Sequence, residues 1–169
     1  MLVNGSFETG DLTGWTSDSP YGLNPFGTAF GSGDGTYWHW LSGYEYSITT
    51  SQTVSGLSVG ATYALTFIMA SEIVNSDSLR VSVNGGPGTI FTAPPYNGTP
   101  WDHWVSKELD FVATTSSATI QFDAIGLNTG GYDVGLDKVS LVSAVPEPAT
   151  WGVLSAGLLG LGLIRRRRA

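Results

Sequence analysis

The 169-residue chain has no cysteine, so neither a disulfide frame nor a cysteine-ligated zinc site is available to it. Basic residues are scarce, seven Lys and Arg against fourteen Asp and Glu. Four of the seven are the terminal Arg165, Arg166, Arg167 and Arg168, so residues 1–148 hold three basic and fourteen acidic side chains, a balance of −11. A body of that charge repels phosphate backbones, which excludes nucleic acid as the expected partner. It suits a calcium-containing exterior or a neutral polymer. The amino end, Met1-Leu2-Val3-Asn4-Gly5, lacks both the basic n-region and the long apolar h-region of an export signal. If the protein is exported, its signal peptide is missing from this chain. Catalytic signatures are missing too: there is no Gly-x-Ser-x-Gly, no His-Glu-x-x-His and no phosphate-cradling loop. The two histidines, His39 and His103, belong to no recognisable nucleophile–base arrangement. Glu45, Glu72, Asp77 and Asp102 could supply a glycosidase-like carboxylate pair, but nothing fixes two of them at the needed separation. The expectation is that the protein is not an enzyme.

What is present is glycine, Ser, Thr, aromatics and β-branched residues, the composition of strands and turns. Period-two alternation marks Tyr63-Ala64-Leu65-Thr66-Phe67-Ile68-Met69, Leu79-Arg80-Val81-Ser82-Val83 and Ala118-Thr119-Ile120-Gln121-Phe122-Asp123-Ala124. Further strands are predicted near 2–8, 36–41, 47–54, 88–92, 104–112 and 136–142. Turn signals such as Asn4-Gly5, Gly33-Asp34-Gly35, Asn84-Gly85-Gly86-Pro87 and Thr129-Gly130-Gly131 separate them. No amphipathic helix is apparent before residue 149. The predicted fold is all-β, an antiparallel jelly-roll β-sandwich over residues 1–143, followed by a single C-terminal hydrophobic helix.

The composition shifts after residue 143. Pro146-Glu147-Pro148 cannot continue a central strand, because proline lacks the amide donor, so 144–150 reads as a linker. Residues 149–164 carry no charge. Sixteen helical residues span roughly 24 Å, a little short of the bilayer's hydrocarbon core of about 30 Å. The predicted membrane helix covers 151–164, and the arginine cluster of 165–169 stays cytoplasmic by the positive-inside rule, placing the body outside. A proline-flanked glutamate, a Gly/Leu-rich apolar run and a terminal arginine cluster, in that order, resemble the PEP-CTERM sorting signal. The resemblance implies recognition by exosortase, a membrane transpeptidase-like enzyme, with Pro146, Glu147 and Pro148 as the sorting motif. It also implies an inner-membrane precursor, a cell-surface or extracellular product and a link to exopolysaccharide.

In the body, Leu2-Val3-Asn4-Gly5-Ser6-Phe7-Glu8 with Gly14-Trp15, and Tyr132-Asp133-Val134-Gly135-Leu136-Asp137-Lys138-Val139-Ser140-Leu141, resemble the opening and last strand of galactose-binding-like sandwiches, which include many carbohydrate-binding modules. In that fold Glu8 and Asp137 fall where a structural calcium is often held, with Asp34 nearby to complete the site. A second reason to consider Asp137 is its parity with Val139 and Leu141, which turns it toward the apolar face if the strand is regular. A buried carboxylate is costly unless paired or metal-bound, and calcium takes oxygen ligands. The bland alternative is that Asp137 bonds backbone amides.

Aromatic side chains cluster at Tyr37-Trp38-His39-Trp40 and across Tyr96 to Trp104. Alternation puts Trp38 and Trp40 on one face, Tyr37 and His39 on the other. Trp15 and Trp104 read as core. Tyr96 and Trp101 lie in a Pro/Gly-rich loop, where exposed rings could stack on sugars. The expected function is that of an exported, non-enzymatic surface-matrix protein that binds polysaccharide. The rivals are a structural or adhesive matrix protein with no sugar site, its rings buried, and a glycan-processing enzyme.

Overall fold

The computed structural model describes residues 1–18, 33–42, 48–72, 77–95, 101–125 and 133–144. Nine strands are found among them: β1 (Thr16–Ser17), β2 (His39–Ser42), β3 (Thr49–Ser55), β4 (Thr62–Ser71), β5 (Ser78–Val83), β6 (Thr89–Thr92), β7 (Val105–Val112), β8 (Ser117–Ile125) and β9 (Asp133–Ser143). They form two antiparallel sheets, one ordered β1-β3-β8-β5-β6 and the other β2-β9-β4-β7. Successive strands change sheet, except β5 and β6, which pair with each other. The fold is thus an all-β sandwich with no helix among the described residues. No helix there is long and apolar enough to cross a membrane. The expected tail helix, with the sorting motif and the arginines, lies outside the described residues.

Alternation along the strands builds the core. Tyr63, Leu65, Phe67 and Met69 of β4, with Leu136 and Val139 of β9 beside them in the same sheet, face Ile120 and Phe122 of β8 and Leu79 and Val81 of β5. Phe67 meets Phe122 edge-on, with ring centroids 5.2 Å apart, a favoured aromatic geometry. His39 shares this interior. Its Nε2 lies 2.7 Å from Thr50 Oγ1, and Thr50 donates onward to Ser17 Oγ at 3.0 Å. Thr50's one proton is therefore committed, so His39 carries its own on Nε2 and donates. Burial holds the imidazole down at about 4, so the ring stays neutral.

Three expectations are corrected. Residues 2–8 form turns instead of a strand, because Asn4 and Phe7 adopt positive φ of 49° and 54°. They nevertheless dock beside the last strand: Val139 N donates to Gly5 O at 2.8 Å. A Cβ on Gly5 would come within 2 Å of Val139's carbonyl oxygen, so this approach needs glycine. Second, β9 is not regular. The β4–β9 register shifts between Thr66 and Ile68, and Lys138 takes φ of 51°, a β-bulge with one extra residue. Asp137 therefore pairs with outward-facing Ile68, while Val139 points inward. Asp137 is buried on the outside of its sheet instead of between the sheets. Third, Trp101 is not an exposed loop ring; it is 2% exposed.

Candidate functional site

Two constellations stand out. The first sits on the outer face of the β2-β9-β4-β7 sheet. The parity that sends His39 and Leu41 into the core turns Trp38 and Trp40 outward, as the sequence alternation predicts. Trp101 and Trp104 fold over the same face, packing with Ala70. Ring centroids lie 5.1 Å apart for Trp38–Trp101, 5.7 Å for Trp38–Trp104 and 5.2 Å for Trp40–Trp101. Gly135 makes room for them: a Cβ there would fall 2.7 Å from the Trp104 ring and 3.2 Å from Trp101. Trp101 is pinned by its own amide, which donates to Ser71 O at 3.0 Å, and by φ of 54°. Trp38 and Trp101 form the buried layer, whereas Trp40 and Trp104 remain partly exposed. Of the two expected sugar-stacking rings, Trp101 thus lies under its neighbours, and Tyr96 falls outside the described residues.

Three carboxylates, Glu72, Asp77 and Asp133, gather at the end of the sandwich where β4 finishes, β5 starts and β9 begins. Glu72 N donates to Asp133 O and to Asp77 Oδ2, both at 3.2 Å, and Ser71 Oγ donates to Asp77 Oδ2 at 2.6 Å. Burial, with Asp133 and Asp77 close by, pushes Glu72 up to about 7. Burial likewise raises Asp77, against the hydrogen bonds from Ser71 and the Glu72 amide. This acidic group was only half visible in the sequence. Glu72 and Asp77 were candidates, but Asp133 joins them only through the β4–β9 register, where Ser71 opposes Val134.

The second constellation gathers Glu8, Asp34 and Asp137 from three distant parts of the chain. Asp137 is 0% exposed. Its Oδ2 accepts from Asp34 N at 2.8 Å and its Oδ1 from Lys138 N at 2.6 Å. Burial raises it to about 7, opposed by those two amides and reinforced by the charges of Asp34 and Glu8. Glu8 Oε1 accepts from Thr36 N and Tyr37 N at 2.9 and 2.8 Å. Asp34 takes Ser6 Oγ at 3.1 Å and has the Lys138 ammonium 3.7 Å away. Gly35, at φ of 71°, passes where a Cβ would sit 2.5 Å from the Glu8 carboxyl. The donors are hard oxygens, the chemistry calcium takes. Among the described residues, however, no three His, Cys, Asp or Glu side chains close into a metal-holding group. A cation here would draw on backbone carbonyls or on Ser6 as well.

Comparison with known proteins adds two family matches. A family model described as a protein of unknown function, DUF642, matches residues 41–140, and the PEP-CTERM protein-sorting motif matches residues 144–168. No curated protein matches. Among solved structures, the TmCBM61 module, determined in complex with β-1,4-galactotriose, superposes at TM-score 0.61 with 23% identity, covering 84% of this chain and 97% of that one. The K3 adhesin domain of Lys-gingipain from Porphyromonas gingivalis superposes at 0.57 with 17% identity over 83% and 98%. The CBM22-1 xylan-binding domain from Paenibacillus barcinonensis does so at 0.52 with 15% identity over 82% and 91%. At such identities the likeness is one of fold.

Proposed function

The chain belongs to the DUF642 family and carries a PEP-CTERM sorting motif; from these premises we propose that it is an exported, non-enzymatic surface protein whose sandwich, a jelly roll, binds polysaccharide at its tryptophan face. The observation that carries this reading is a pair of partly exposed indoles, Trp40 and Trp104, on the outer face of the β2-β9-β4-β7 sheet, with the half-buried Glu72 at the end of β4. Indole faces stack on the apolar face of a sugar ring, and carboxylates accept from its hydroxyls. Trp38 and Trp101 hold the two outer rings in place from beneath, and Tyr96, in the segment leading to Trp101, supplies a further ring.

Glu8, Asp34 and Asp137 would hold a structural calcium, which would neutralise the buried Asp137 and tie residues 6–37 to the last strand. At the other end of the chain, 144–150 is the linker read by exosortase through Pro146, Glu147 and Pro148. Residues 151–164 hold the precursor in the inner membrane, and Arg165 to Arg168 stay cytoplasmic. Cleavage then frees the body to the cell surface, among exopolysaccharide.

The test is binding of the full chain to a polysaccharide panel, β-1,4-galactan and xylan included, with calcium and with chelator. Saturable binding that falls at least tenfold in Trp104→Ala and Trp40→Ala, with the melting temperature close to wild type, is expected. A folded chain that binds no polymer overturns the reading in favour of a structural or adhesive protein, which the burial of Trp38 and Trp101 favours. A melting temperature unmoved by chelator, with no metal in the purified protein, removes the calcium.

A further inference from the structure

The two ends of the sandwich differ in charge. At one end lie Glu72, Asp77 and Asp133. At the other, β3 turns into β4 through residues 56–61, β7 turns into β8 through 113–116, and β9 runs out at Ser143. The register puts these together: Ser55 opposes Ser117, Thr62 opposes Val112, and Tyr63 opposes Ser143. The two turns interlock, with Leu57 N donating to Ser116 O at 3.0 Å, Gly60 N to Ala113 O at 2.8 Å and Ala113 N to Ala61 O at 2.9 Å. The β5–β6 turn, 84–88, reaches the same end, where Asn84 N donates to Thr119 O at 2.8 Å.

No residue of 56–61, 84–88, 113–116 or 141–144 carries a charged side chain, in a body that holds fourteen acidic ones. The nearest acid on β7, Asp110, stands two residues back from the strand's end. In place of charge this end shows valines: Val59 is 67% exposed, Val112 56% and Val142 53%. Most other large apolar side chains of the body are buried.

This is also the end from which the sorting tail departs. Ala144 N donates to Thr62 O at 2.9 Å, so the domain is fixed up to that residue. The uncharged run begins at residue 149. The four intervening residues, 145–148 with Glu147 among them, make five Cα–Cα steps and reach at most roughly 17 Å, even fully extended. The headgroup zone on each side is about 5–8 Å deep, the whole bilayer being about 40–45 Å against a core of about 30 Å, so the tether holds this end within roughly 10 Å of the headgroup surface. A domain tethered so closely meets the headgroups at high effective concentration. Anionic lipid repels the carboxylates of the far end but not this end, whose turns hold no acidic side chain and where the Met1 ammonium donates to Ser55 O at 2.9 Å.

From this juxtaposition we infer that the Val59–Val112–Val142 end is a bilayer-docking surface, which seats the precursor upright on the lipid headgroups with its tryptophan cluster at the far end of the β2-β9-β4-β7 sheet. The inference rests on the tail's being membrane-anchored. A bilayer is favoured over a protein partner because the short tether delivers this end to lipid whether or not any protein is present.

The test uses the full chain in vesicles of phosphatidylethanolamine with a minor fraction of phosphatidylglycerol. A single cysteine carrying an environment-sensitive fluorophore is placed at Val59, at Val112 or, as a control at the far end, at the exposed His103. Lipids spin-labelled at the headgroup should quench the dyes at Val59 and Val112 several-fold more than the dye at His103. Val59→Asp, made in the chain labelled at Val112, should cut that quenching while flotation with the vesicles persists. Equal quenching at all three positions in a floating chain overturns the docking surface and leaves the anchor intact. A chain that does not float overturns the anchor and the docking with it. Quenching or protection that appears only when exosortase is co-reconstituted overturns lipid as the occupant and makes this the face that meets the enzyme.

Discussion

At the residue scale, single atoms decide which backbones may approach. Gly135 lies under two indoles, with 2.7 Å between its missing Cβ and Trp104. Gly135→Ala should therefore displace Trp104 more than it harms the core, costing about 1–3 kcal/mol as overpacking does. A reduced tryptophan near-UV circular dichroism signal, with strand content unchanged, is the expected readout. Trp101 shows what the sequence could not give. Its Pro/Gly-rich flanks suggest a loop, and loops lie at the surface, yet a ring on a loop can still fold onto a sheet. Trp38 and Trp40 were legible as a facing pair because they precede and enter a strand. Which of their two faces is interior was not, since His39 looks less like core than tryptophan does. A hydroxyl partner, Thr50, is what lets the imidazole take the inner place.

At the element scale, β4, β5 and β8 followed their alternation, because each is central in its sheet and faces a packed interior. Two-residue β1 is too short to show any period. The bulge in β9 was hidden because its positive-φ residue is Lys138 and not glycine, so nothing in the sequence marked the change of parity at Asp137. The carboxylate group with Glu8 and Asp34 could be suspected only by likeness to a fold, since it is assembled by contacts between distant parts of the chain, among them the hydrogen bond from Asp34 N to Asp137 across more than a hundred residues. β7 presents a different problem. It is an edge strand of eight residues, and long open edges invite pairing with another chain. Lys107 opposes core residue Phe67 in the register, an inward-pointing charge on the edge, while Glu108 and Asp110 face outward. Replacing Lys107 with valine should leave the monomer's stability within about 1 kcal/mol but promote edge-to-edge association. Sedimentation at rising concentration should show dimers and larger species that wild type does not form.

At the scale of the whole molecule, opposing titrations set the pH of greatest stability. Glu72 and Asp137, both near 7 when folded, keep protons that the unfolded chain releases above its ordinary carboxyl range. Their contribution is present at low pH and is lost as pH rises through about 7. His39 acts the other way. It stays neutral down to about 4 in the fold, while the unfolded imidazole takes a proton near 6.5, so its contribution is lost as pH falls between those values. With Glu72 and Asp137 raised to about 7, and Asp77 raised as well, against one depressed imidazole, metal-free protein should melt several degrees higher near pH 6 than near pH 8. A melting temperature that is flat or rises toward pH 8, in chelator, would contradict this balance. The direction in which the tail leaves has a mechanical meaning as well. β9 is pulled from its carboxyl end, along its own axis, while anything held at the tryptophan face pulls the opposite way. The ladder to β4, which runs from Tyr63–Ser143 to Ser71–Val134, is then loaded in shear, its hydrogen bonds sharing the force instead of opening one after another. If the tail anchors the protein as proposed, tension would enter along β9 and be shared across that ladder until the tether is cut.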